Sequence, residues 1–137
     1  FARSIFEVLG SCVVVEDEAH FKCMQSITGL MGDLYKRQLT AQEWLSSHGV
    51  PCAEAAAWVG ASFATMVADS ARPGPDTFAR LVAEQTPGGL NEMTVRGQEE
   101  DGNYAAIKHA LDSVRHRLVS GTIDPDLAPA VKRAKTA

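Results

Sequence analysis

"EQTPGGLNEM", residues 84–93, is the stretch on which the fold reading turns. Pro87, Gly88 and Gly89 stop one helix-like segment, and a new one opens at Leu90. Adjacent glycines let the backbone adopt positive φ and bring N–H groups close to a ligand. A helix N-terminus behind them adds the dipole that suits an anion. A small carboxylate fits such a turn, with Asn91 able to donate or accept a hydrogen bond at the same end. A plainer reading has Pro87 and Gly88 ending one helix while Asn91 caps the next. Residue chemistry alone favours the plainer one.

Outward from this turn the pattern is helical. A short helix over residues 76–85 precedes it, entered from the loop "ARPGPD" with Pro75 suited to the first turn. A helix over 90–101 follows it. The next helix has a single stripe of Tyr104, Ile107, Leu111, Val114 and Leu118, with Lys108, Asp112, Arg115 and Arg117 on or beside the opposite face. Upstream, residues 52–69 alternate bulky side chains (Trp58, Val59, Phe63, Met66, Val67) with Ala and Gly on nearly every face. That composition predicts a helix surrounded by other helices.

From Asp17 to Ser47, Phe21, Met24, Ile27, Met31, Leu34 and Gln38 recur at spacings of three and four. They predict one long helix, well beyond the usual mean of about 11–12 residues, ended by "HGVP". Gly29 and Gly32 inside it either admit a close neighbour or mark a kink. Residues 2–9 predict a short helix with Ile5, Phe6 and Leu9 on one face. "CVVVED" then reads as a short buried strand, over residues 12–16, whose partners lie upstream. From Gly121 the tail is broken by Pro125 and Pro129 and predicts little regular structure.

The 137 residues are 45% apolar and 22% charged, which fits one globular domain with a hydrophobic core. A net charge of -4 argues against a nucleic-acid partner; Lys132, Arg133 and Lys135 read as a solvated tail. Cys12, Cys23 and Cys52 form no even framework, which suits a reducing, cytoplasmic setting. His20 and Cys23 share a helix face, but two ligands are too few for a closed metal site, so no metal is expected. No apolar run is long enough for a membrane span. The chain opens mid-pattern at Phe1, as a piece of a longer protein would.

"FEVLG", the valine run ending in acids, the long helix with its glycine pair and Tyr35, the small-residue helix, "EQTPGGLNEM" and "GNYAAIKHALDSVRHRL" together resemble the pyrroline-5-carboxylate reductase family. The resemblance covers residues 1 to about 118. It implies an all-α bundle of the 6-phosphogluconate dehydrogenase C-terminal type, over residues 17–120. Residues 1–16 would then be the last helix and strand of a preceding Rossmann domain, with 121–137 an irregular tail. The bundle would interlock with a second copy as a homodimer.

The family reduces the C=N bond of a cyclic imino acid with NADPH or NADH, giving proline. The resemblance places its carboxylate site on Thr86, Gly88, Gly89, Leu90 and Asn91, and no catalytic residue or metal on this chain. Leu90 and Asn91 stand where the family has Thr-Thr; Met31 and Asp33 depart from the Ser and Pro of its long-helix segment, whereas Gly32 and Tyr35 match. With no G-x-G-x-x-G here, the dinucleotide would bind elsewhere in the full protein and this portion alone would be inactive. The alternative is a helical oligomerisation or binding module whose active site has decayed.

Overall fold

The structure is a computed structural model that describes residues 2–8 and 10–123. All regular structure among them is helical: α1 (Ala2–Phe6), α2 (Glu18–Ser26), a 3-10 turn (Ile27–Gly29), α3 (Leu30–Ser47), α4 (Cys52–Asp69), α5 (Thr77–Ala83), α6 (Leu90–Glu100) and α7 (Asn103–Ser120). Leu9 and most of the expected irregular tail, with Lys132, Arg133 and Lys135, lie outside the described residues. The chain divides into two compact units, Phe1–Gly29 with His109–Ala137, and Leu30–Lys108.

In the first unit, Asp17 starts α2 as a side-chain cap: its carboxylate accepts from the amides of Ala19 at 2.6 Å and His20 at 3.4 Å. The single long helix expected from Asp17 to Ser47 is instead interrupted by the 3-10 turn at Ile27–Gly29. Close packing explains the glycine at the end of that turn, Gly29. A methyl group on it would meet Val114 Cγ2 of α7 at 3.0 Å, whereas one on Gly32 would meet nothing within 4 Å. Of the glycine pair it is therefore Gly29 that admits a close neighbour, at the point where the 3-10 turn interrupts the helix. Flanking this approach in sequence, Ser26 and Ser113 are buried, and their hydroxyls turn back onto the carbonyls of Lys22 (2.9 Å) and His109 (3.1 Å). Small side chains with internally satisfied hydroxyls let two helices come together without an orphaned polar group.

The expected strand over residues 12–16 is not formed. No strand occurs among the described residues, and Val13 and Val14 are exposed. β-branched residues favour extended backbone, but a strand exists only when its N–H and C=O groups find a ladder partner. None of the described residues supplies one. The remnant of a Rossmann sheet is thus not seen as such.

In the second unit, α3 and α4 form a hairpin and pack along each other. The amides of Gly49 and Val50 donate to the carbonyls of Ser46 (3.1 Å) and Leu45 (3.2 Å), the paired bonds of a Schellman stop, with Gly49 at φ +91°. Gln42 Nε2 donates to Cys52 Sγ at 3.1 Å across the connection. Ala55 and Val59 are the buried apolar residues of the described set. Cover on every side of α4 does not materialise within one chain, since Trp58 is 69% exposed and Met66 63%. Phe21, Met24, Ile27, Met31 and Leu34 of the expected stripe are likewise exposed.

Helix α5 begins after Asp76, one residue later than expected, so Pro75 precedes the N-cap instead of occupying the first turn. In α7 the stripe from Tyr104 to Leu118 is half-buried along its length, and Lys108, Asp112, Arg115 and Arg117 are exposed.

Candidate functional site

The site rests on how α5 is joined to α6. The Gly89 amide donates to the Thr86 carbonyl at 2.8 Å, closing a four-residue turn over Thr86–Gly89. Pro87 occupies the second position, where its ring presets φ, and Gly88 the third, with φ +72°. This is a type II turn, whose third residue must adopt positive φ. Gly89 is constrained differently: its φ of −79° and ψ of 168° suit any residue, but a methyl group there would sit 2.9 Å from the Thr86 carbonyl oxygen and 3.3 Å from Thr86 Cβ. The two glycines therefore have separate reasons. Gly88 supplies the handedness, and Gly89 makes room for the turn's own backbone.

Gly89 is also the N-cap of α6, and no side chain caps that helix. This corrects the expectation that Asn91 is the cap. Asn91 lies in the first turn and is exposed. The Met93 amide already reaches the Gly89 carbonyl at 3.0 Å, so α6 is regular from its outset. The first-turn amides of Leu90, Asn91 and Glu92 precede that first intrahelical bond and have no intrahelical acceptor. Gly89 cannot add its own N–H to a ligand, because the turn has claimed it.

Four of the five expected residues, Thr86, Gly89, Leu90 and Asn91, line one depression of about 320 Å³ with Glu84 and Gln85. Gly88 does not join them. It borders a larger depression of about 630 Å³ between α5 and α6, with Val82, Pro87, Glu92, Val95 and Arg96 among its walls. Leu90 is 80% exposed, so its side chain covers little of the site.

Glu84 and Gln85 are the residues that sequence reasoning missed. Glu84 is the C-cap of α5, where its carboxylate pairs with Arg80 Nη1 at 2.7 Å. The i, i+4 spacing of Arg80 and Glu84 was the available signal. The smaller depression thus brings Leu90 and Asn91 of the first turn of α6 together with the acid Glu84, and no cationic side chain lines it.

Elsewhere the chemistry is sparse. Among the described residues no three His, Cys, Asp or Glu side chains come together to hold a metal. His20 and Cys23 do line one depression with Glu16 and Asp17, but Asp17 is committed to its cap and Arg115 Nε approaches Cys23 Sγ at 3.2 Å. His48 is held at the end of α3, with Nδ1 2.8 Å from the Trp44 carbonyl and its ring 4.3 Å from the Trp44 ring. No histidine reaches the Thr86–Asn91 depression. All three cysteines are free thiols, and no helix among the described residues is long and apolar enough to cross a membrane. The chain matches no family model, no curated protein and no solved structure.

Proposed function

We propose that this chain is the dimerisation and substrate-binding portion of an NAD(P)H-dependent oxidoreductase of the pyrroline-5-carboxylate reductase kind. The observation that carries the reading is the uncapped start of α6. A type II turn delivers Gly89 to the N-cap without a side chain, and Leu90 and Asn91, whose first-turn amides have no intrahelical acceptor, line a depression together with Thr86. In this reading the amides take the substrate carboxylate, Thr86 supplies a hydroxyl and Asn91 a carboxamide, and Gly88 and Gly89 shape the turn. Leu90 replaces a hydroxyl of the family pattern, and a lost hydrogen bond to a charged group costs about 1.5–3 kcal/mol. The ligand is therefore a small carboxylate whose ring differs from, or binds less tightly than, the family's usual one.

The nicotinamide cofactor would supply the hydride. The described residues offer it no glycine-rich phosphate loop, so it belongs to a separate nucleotide-binding domain. This chain's part is to hold and orient the substrate.

Self-association belongs to the same proposal. Trp44, Trp58 and Met66 border one groove of the α3–α4 hairpin and are each exposed by more than half. Large apolar patches on a soluble chain mark interaction surfaces, and a second copy of the hairpin presents the matching face.

A second reading, an oligomerisation module with a decayed site, is favoured by the self-sufficiency of the turn: Gly88 and Gly89 are both required by its geometry alone. The two readings separate in a kinetic assay of the gene product that contains this chain, with NADPH and a panel of cyclic imino acids. The reductase reading expects turnover, with KM raised about tenfold or more by Asn91→Ala. Absence of turnover across the panel, or unchanged kinetics in the variant, favours the module.

A further inference from the structure

We draw no further inference here: the strongest candidate, the exposed apolar face of the α3–α4 hairpin around Trp58 and Met66, belongs to the self-association already proposed, and nothing in the structure shows any other partner that covers it.

Discussion

The carbonyl oxygen of Thr86 accepts the Gly89 amide at 2.8 Å, and the same oxygen would lie 2.9 Å from a methyl group placed on Gly89. One contact therefore both closes the turn and excludes every side chain from its last position. Gly89→Ala should open the turn and destabilise the chain by about 1–3 kcal/mol, the range of local backbone strain. Gly88→Ala should cost about 1–2 kcal/mol through its left-handed φ, and Gly88→Asn less, since Asn tolerates that region. Urea unfolding monitored by circular dichroism gives all three values. Equal stability of Gly89→Ala and the parent chain would mean that the turn is not closed as described.

Gly29 and Gly32 should respond in opposite directions to the same change. Gly32→Ala adds a methyl to open space on a helix and should stabilise by up to about 1 kcal/mol. Gly29→Ala must displace Val114, whose branched side chain has few rotamers to retreat into. The expected result is a loss of about 1–3 kcal/mol, largely relieved when Val114→Ala is combined with it. Strict additivity of that pair in thermal unfolding would separate the two residues.

These two glycines also mark how far the sequence could be read. A composition rich in Ala and Gly placed α4 at 52–69 and apolar spacing placed the stripe of α7, because both are properties of the local chain itself. It could not tell which glycine broke the long helix. That depends on Val114, more than eighty residues away in sequence, and no local pattern encodes such a contact. The valine run failed for a related reason: extended propensity is local, whereas a ladder partner is not. At the site, Pro87 and Gly88 signalled the turn type directly. Gly89's clash, and Glu84's presence at the edge, are matters of three-dimensional distance.

Trp58 tests the self-association. At 69% exposure it is the most exposed tryptophan, and in a paired hairpin it becomes a central aromatic anchor. The parent chain should run as a dimer by multi-angle light scattering at micromolar concentration. Trp58→Ala should weaken it by about 2 kcal/mol or more, close to thirtyfold in Kd. A parent chain that stays monomeric at that concentration contradicts the pairing.

Glu84 tests the electrostatics of the depression. Its carboxylate opposes any anion at the first turn of α6, so Glu84→Gln should tighten carboxylate binding several-fold at low salt, and less so as salt screens the charge. Loss of the exposed Arg80 pair should cost little stability, within about 1 kcal/mol. Isothermal titration at two ionic strengths reads both the change and its salt dependence; weaker binding in the variant would place Glu84 among the ligand's attractive contacts.

The carboxylate cradle itself is tested most directly by nuclear magnetic resonance of the nitrogen-15-labelled chain. L-proline and L-prolinamide share a ring and differ in the carboxylate, so titrating each isolates the group that α6 is proposed to hold. The account predicts that the backbone amide signals of Leu90 and Asn91 move with L-proline and stay in place with L-prolinamide. Signals that stay still up to tens of millimolar L-proline, or that move equally with both compounds, would contradict it.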